Sequence, residues 1–198
     1  MRRAAANGIQ VVECGIALAK HTHFSGLVIS CGLAGGLRGD VPTGTVLIPR
    51  IVRRPDGSDL TCDVAAVEAL TQAAHALGHA VVHDPLVTTQ TLVYGSQRQV
   101  WAQRGYAGAD METGLLAAPR VACVRVVLDT PQREISPAWL QPARAMLQPR
   151  AWLDLPFLVR EGPRCSTIAA RIAAAAATAA AASTNSGTDS TAESPERA

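Results

Sequence analysis

Two mainly apolar runs constrain the fold of this 198-residue chain most strongly. Residues 121–128 read VACVRVVL, and residues 26–31 read GLVISC. Such runs are typical of strands covered on both faces of a sheet, because a half-exposed strand alternates apolar and polar residues. They predict a layered α/β protein, and the length suits one domain with a substantial core.

Weaker patterns between and around these runs predict the other elements. Strands are expected at residues 9–13, 45–52 and 80–87, and helices at residues 15–21, 63–77, 97–104, 111–118 and 137–147. This alternation favours a three-layer α/β/α sandwich with a mixed central sheet. The folded domain is expected to span residues 1–165, and residues 166–198, alanine-rich and then polar, are expected to form a disordered tail.

Composition excludes several classes of protein. The net charge is +2 and the arginines are scattered, so no basic stripe indicates a nucleic-acid partner. No apolar run is long enough to span a membrane, because Arg125 interrupts the best one. Five cysteines without close pairs favour a reduced, cytoplasmic protein. The histidines lack the partners of a zinc site, so no metal is expected. No organic cofactor is expected either.

The first candidate binding segment is the glycine-rich stretch that follows residues 26–31. It contains Gly32, Leu33, Ala34 and Gly35, and it is predicted to be a turn. Glycines in such a turn let backbone amides approach a ligand oxygen or a sugar closely. The alternative is an ordinary connection between a strand and a loop.

Acidic residues define two further candidate segments. In Asp110-Met111-Glu112, the Glu112 carboxylate suits hydrogen bonds from ribose hydroxyls, and Met111 suits apolar contact with the sugar. The alternative for Glu112 is an acid that stabilises a helix N-terminus. Asp129 directly follows the buried run, where a low dielectric raises a carboxyl pKa and suits a general acid. The alternative role of Asp129 is to cap the loop that follows it.

Together these segments fit the cleavage of an N-glycosidic bond. The reaction passes through an oxocarbenium-like sugar, so it needs an acid for the departing base and an acceptor that fixes the hydroxyls. Asp129 would protonate a purine at N7 and Glu112 would hold the ribose. The glycine segment would admit the sugar.

The same segments resemble the nucleoside phosphorylase superfamily. The stretch from Ser30 to Leu37 is similar to its Gly-x-Ala-Gly-Gly-Leu turn. Met111-Glu112 is similar to its ribose-binding pair, and residues 124–130 are similar to its Arg-x-x-Ser-Asp segment. The resemblance includes purine nucleoside phosphorylases, methylthioadenosine/adenosylhomocysteine nucleosidases and the hopanoid-associated branch that acts on adenosylhopane. It implies an adenine-type nucleoside as substrate, Asp129 as general acid, Leu92 and Val93 beside the base, and a homo-oligomer.

Three departures from the family pattern modify this expectation. The family's first strand and its glutamate-bearing loop precede the part that matches here, so the chain is expected to be truncated at its N-terminus. Glu112 and Asp129 are closer in sequence than the family pattern has them, with the intervening helix cut short at Pro119. Ser30 stands where phosphorylases place a phosphate-binding arginine. Water is therefore favoured as the acceptor, with phosphate as a possible co-substrate. The alternative function is nucleoside binding without catalysis, by a remnant of such an enzyme.

Overall fold

The computed structural model describes residues 9–14, 23–140, 147–149 and 151–186. Within these residues one mixed sheet contains eight strands: β1 (Leu27–Gly36), β2 (Val46–Leu47), β3 (Ile51–Arg53), β4 (Asp59–Thr61), β5 (Val81–Val82), β6 (Leu86–Thr88), β7 (Gly108–Asp110) and β8 (Arg120–Asp129). Their order is β4-β3-β6-β7-β1-β8-β2-β5. The α-helices are α1 (Val64–Ala76), α2 (Ser96–Gln103) and α3 (Leu155–Ser186). The predicted α/β class with a mixed central sheet is confirmed.

The two apolar runs form the central strand pair. β1 and β8 are parallel, with Leu27 opposite Arg120 and Ala34 opposite Val127. The register shifts by one residue after this point, so that Gly35 lies opposite Asp129. β1 continues to Gly36, where β7 pairs with it from the other side. The glycine-rich stretch therefore belongs largely to a strand, which corrects the predicted turn.

Prolines explain why two predicted strands are divided. Pro49 separates β2 from β3, and Pro85 separates β5 from β6. A proline lacks the N–H group that a central strand needs, so the ladder is interrupted there. The predicted helices at residues 63–77 and 97–104 are confirmed as α1 and α2. α1 ends before Gly78, whose φ of 80° suits a residue without a Cβ.

Three predicted elements differ from the structure. Ile9 makes a single bridge, and residues 10–14 form no strand. Instead of a helix at residues 111–118, one 3-10 turn spans Thr113–Leu115, because the Asp110 and Thr88 side chains accept hydrogen bonds from the amides of Thr113 and Gly114. A 3-10 turn spans Pro137–Leu140, at the start of the helix predicted for residues 137–147. Residues 15–21 and 141–146 lie outside the described part.

The alanine-rich segment is part of the core, which corrects the expected boundary at residue 165. α3 packs against α1, β1 and β8. Ala169, Ile172 and Ala176 are buried in the main cluster together with Leu70 of α1. Small side chains let the two helices approach closely, so alanine serves packing here. Residues 187–198 lie outside the described part, and no helix within the described ranges is long and apolar enough to cross a membrane.

Candidate functional site

Arg125 is the centre of a buried polar network beside β1. Its side chain is 3% exposed, and its Nε donates to Asp110 Oδ2 over 2.8 Å. Its Nη2 donates to the hydroxyls of Ser30 and Thr113, each over 2.8 Å. Burial lowers the pKa of Arg125, but the Asp110 carboxylate raises it above its ordinary value, so the guanidinium stays charged.

Asp110 anchors this network from inside the sheet. The Thr88 hydroxyl donates to its Oδ1 over 2.5 Å, and the Thr113 hydroxyl and amide donate to Oδ2. The Asp110 side chain is fully buried. Asp110 was predicted to bind substrate, but its oxygens are occupied by the protein, and it holds Arg125 and the following turn in place.

Glu112 lies at the outer end of the same network. Its Oε2 is 3.7 Å from Arg125 Nη2 and accepts a hydrogen bond from the Met111 amide over 3.3 Å. The Glu112 side chain is 22% exposed, unlike that of Asp110. It lines a cavity of about 1140 Å³, whose other walls include Glu13, Phe24, Val28, Leu116 and residues 29–33. A carboxylate oriented by an arginine therefore meets a cavity whose walls are part polar and part apolar.

Asp129 makes a separate buried ion pair with Arg98 of α2. Arg98 is 2% exposed, and its Nη1 also donates to the Gly36 carbonyl over 2.5 Å. Burial raises the pKa of the Asp129 carboxyl above its ordinary value, although Arg98 acts in the opposite direction. The raised pKa of the Asp129 carboxyl suits a proton donor, but the carboxyl is held in an ion pair with Arg98.

The structure does not bring Asp129 and Glu112 together. A Cβ on Gly32 would overlap Arg125 Nη1, whereas a Cβ on Gly35 would lie 3.1 Å from Asp129 Oδ1. Residues three apart in a strand point to opposite faces, so Arg125 and Asp129 lie on opposite faces of β1. Three residues also span about 10 Å along a strand.

Strand direction explains this separation. β7 runs antiparallel to β1, so its carboxyl end leads back toward the middle of β1. β8 runs parallel to β1, so Asp129 lies level with Gly35 near the end of β1. The carboxyl ends of antiparallel strands lie at opposite edges of a sheet. The sequence grouped Glu112 and Asp129 by residue type and by the resemblance, and neither of these reports strand direction.

The remaining predicted site residues divide between several environments. Gly32 and Leu33 line the Glu112 cavity, and Met111 is half-buried next to Glu112 in sequence. Ala34 is buried in the main core, and Gly35 faces the Asp129–Arg98 pair. Val93 is buried with Leu37 and Tyr106, and half-buried Leu92 is not a lining residue of the cavity.

Arg98 is a site residue that no sequence pattern indicated. It lies on a short polar helix whose other residues gave no sign that one position is buried. Phe24 and His23 also line the Glu112 cavity without having been singled out for it. In the described part of the chain, no group of three or more His, Cys, Asp or Glu side chains is arranged to hold a metal ion.

The mixed sheet, with the parallel β1–β8 pair at its centre, has an α/β fold that several solved nucleosidase structures share. The solved structures that share it include the 5′-methylthioadenosine/S-adenosylhomocysteine nucleosidase of Neisseria meningitidis in complex with methylthio-immucillin-A. Its identity is 19%, its TM-score is 0.58, and the match covers 77% of this chain and 69% of that one.

Two structures from Helicobacter pylori give similar values. The corresponding nucleosidase with butyl-thio-DADMe-Immucillin-A has 12% identity and a TM-score of 0.58, and the match covers 77% of this chain and 68% of that one. Futalosine hydrolase has 10% identity and a TM-score of 0.58, and the match covers 77% of this chain and 67% of that one. No protein-family model and no curated protein sequence matches the chain. At these identities the likeness establishes the fold.

Proposed function

We propose that this protein binds a nucleoside in the Glu112 cavity and hydrolyses its N-glycosidic bond. The observation that carries this proposal is the position of the Glu112 carboxylate, which Arg125 holds 3.7 Å away at the wall of the cavity. An ionised carboxylate only accepts hydrogen bonds, so it matches the paired hydroxyl donors of a ribose. The solved structures of the same fold are nucleosidases, which supports the same class of reaction.

The apolar part of the cavity supports an aromatic base and an apolar 5′ substituent. Phe24, Val28 and Leu116 line it together with Glu112. Its volume of about 1140 Å³ leaves room beyond a bare nucleoside. The proposed base is of the adenine type, and both this base and adenosylhopane as a candidate substrate in hopanoid biosynthesis are implied by the motif resemblance. The protein is proposed to act in the cytoplasm as a homo-oligomer.

Water is the proposed acceptor. Among the described residues that line the cavity, Arg125 is the single guanidinium, and its Nε and Nη2 donate to Asp110, Ser30 and Thr113. Its charge is already paired with Asp110 and Glu112, whereas a phosphate co-substrate is bound best by a cation without a carboxylate partner. Glu13 lines the same cavity, and its carboxylate is the proposed base that takes a proton from the water attacking C1′.

Asp129 is the proposed donor of the proton that the departing base receives, because burial raises its pKa. Asp129 lies on the opposite face of β1 from the Glu112 cavity, so to reach a base bound there its carboxyl must leave Arg98 and the end of β8 must turn it toward the cavity. The separation of Asp129 from Glu112 favours a second candidate function, nucleoside binding without cleavage. The two candidates differ in whether bound nucleoside releases its base.

A base-release assay tests the proposed function. Purified protein is incubated with 5′-methylthioadenosine or adenosine, with and without phosphate, and released adenine is measured by chromatography. Adenine release independent of phosphate is expected. Glu112→Gln should lower kcat/KM by about 10- to 100-fold, because charge-assisted hydrogen bonds to ribose are lost. Glu68→Gln, an exposed change on α1, is the matched control and should leave kcat/KM unchanged.

Calorimetry on the same samples separates the two candidate functions. Nucleoside binding without adenine release would establish the non-catalytic function and reject hydrolysis. Equal activity of Glu112→Gln and wild type would reject the Glu112 cavity as the site. Glu13→Gln should lower kcat while leaving nucleoside affinity within a few-fold, since Glu13 is assigned to water.

A further inference from the structure

A second cavity, of about 660 Å³, is lined by arginines and shares no lining residue with the Glu112 cavity. Arg53 and Arg54 come from the end of β3 and the turn after it, and Arg104 follows α2. No aspartate or glutamate is among its lining residues. The cavity is therefore strongly cationic.

The three arginines differ in how their charge is compensated. Arg53 Nε lies 3.1 Å from Asp59 Oδ1, so this guanidinium has a carboxylate partner. Arg54 Nη1 donates to the Gly114 carbonyl over 3.0 Å, a neutral acceptor. Arg104 lies over the Trp101 ring, 5.0 Å from its centroid. Within the part of the chain that the structure describes, neither Arg54 nor Arg104 makes an ion pair.

Both of these guanidinium groups are held in position by neutral contacts. The Gly114 carbonyl fixes Arg54, and the Trp101 ring supports Arg104 by a cation–π contact. Trp101 is itself packed edge-to-face on Tyr106 with centroids 5.3 Å apart. Groups that are fixed before a ligand arrives lose little conformational entropy on binding.

We propose that this cavity binds the phosphate group of a small anionic ligand. A guanidinium presents parallel N–H donors that match phosphate oxygens, and Arg54 and Arg104 supply two guanidinium groups without a close ion pair among the described residues, although Arg54 also acts on Asp56 at longer range. Inorganic phosphate and a phosphate monoester offer the same group. The proposal concerns binding alone and does not depend on nucleoside cleavage.

Calorimetric titration with inorganic phosphate, and separately with adenosine 5′-monophosphate, tests the proposal at constant ionic strength maintained with chloride. Wild type should bind at least one of the two. Arg54→Gln and Arg104→Gln should each weaken that affinity about tenfold or more, because a charged hydrogen-bonding partner is lost. Arg50→Gln, an exposed change outside the cavity, is the matched control and should bind like wild type.

Each outcome decides the proposal. Binding of the monophosphate without binding of inorganic phosphate identifies a monoester as the ligand and supports the site. Absence of binding to both compounds overturns it, as does equal affinity in Arg54→Gln, Arg104→Gln and Arg50→Gln. Arg104→Lys keeps the charge but loses the planar fork, so an affinity between those of wild type and Arg104→Gln is expected. Thermal unfolding of each variant confirms that the compared proteins are folded.

Discussion

At the residue scale, the glycines of β1 are explained by the side chains of neighbouring elements. Gly32 leaves the space through which Arg125 reaches Asp110, and Gly35 leaves the space for Asp129 and Arg98. A larger residue at either position would displace a buried charged group from its partner. Such displacement is costly, because a buried charge without a partner is strongly unfavourable. These glycines therefore serve the two ion pairs that surround the candidate site.

Asp129→Asn tests the assignment of the proton donor. The amide keeps the shape of the side chain but donates no proton of a carboxylic acid, so kcat should fall by about 10²–10⁴-fold with KM within a few-fold. The amide keeps an oxygen that accepts from Arg98, and Arg98 Nε keeps Glu134 Oε1 at 2.9 Å, so the free energy of unfolding should fall by only about 1–3 kcal/mol. Steady-state kinetics at a temperature where the variant is folded provides the measurement.

Arg98→Gln is the control that separates catalysis from stability. It also breaks the buried pair but retains the Asp129 carboxyl. Arg98 lowers the pKa of Asp129, so its removal should raise that pKa further. The limb of the pH–rate profile that requires protonated Asp129 should then move to higher pH. Equal losses of kcat in both variants, with no shift of that limb, would assign the pair a purely structural role.

At the element scale, the start of α1 joins a helix cap to the central sheet. Asp63 Oδ1 accepts a hydrogen bond from the Ala66 amide over 2.9 Å, and Asp63 Oδ2 accepts one from Arg120 Nε over 2.7 Å. Arg120 is the first residue of β8. Since α1 packs on α3 and β8, this side chain fixes the beginning of a helix that covers the core.

Asp63→Ala should lower the free energy of unfolding by about 1 kcal/mol at neutral pH, as measured in urea. The Arg120 hydrogen bond and the Ala66 amide hold the pKa of Asp63 below its ordinary value. Its contribution is therefore complete above the unfolded-state pKa of about 3.9 and is lost as the pH falls through the lower folded-state value. The difference between wild type and variant should be constant from pH 6 to 8 and shrink below about pH 4.

Asp63→Asn is the matched variant, because asparagine also caps a helix but has no charge for Arg120. It should lose less stability than Asp63→Ala at pH 7. A stability difference for Asp63→Ala that grows as the pH falls would contradict the assigned role of the carboxylate.

The elements that depend on local pattern were predicted well from the sequence. Long apolar runs identified β1 and β8, and apolar spacing identified α1. The structure at residues 111–118 could not be predicted in this way, since the side chains of Asp110 and Thr88 replace the helical hydrogen bonds. The direction of β7 is a property of the whole sheet, so the separation of Glu112 from Asp129 was not visible either. Arg98 is buried by tertiary contacts that no spacing reveals.

At the scale of the whole molecule, α3 completes the core that positions both ion pairs. It lies against α1, β1 and β8, and Cys165 near its start is buried with its Sγ 3.6 Å from the Val127 carbonyl. Because β1 and β8 carry Arg125, Asp129 and the glycines that face them, the packing of α3 determines where the site residues lie. An alanine-rich composition therefore belongs to the functional domain in this protein.

Ile172→Ala tests whether α3 is a structural part of that domain. Ile172 is fully buried, so its truncation removes apolar contacts and leaves a cavity, and the free energy of unfolding should fall by about 2–5 kcal/mol. Val159→Ala on the same helix is the control, because Val159 is 66% exposed and its truncation should change stability by no more than about 0.5 kcal/mol. Urea unfolding of both variants, followed by circular dichroism, gives the comparison. If Ile172→Ala were as stable as Val159→Ala, the helix would not be packed on the sheet, and the domain would end near residue 165 as its composition indicates.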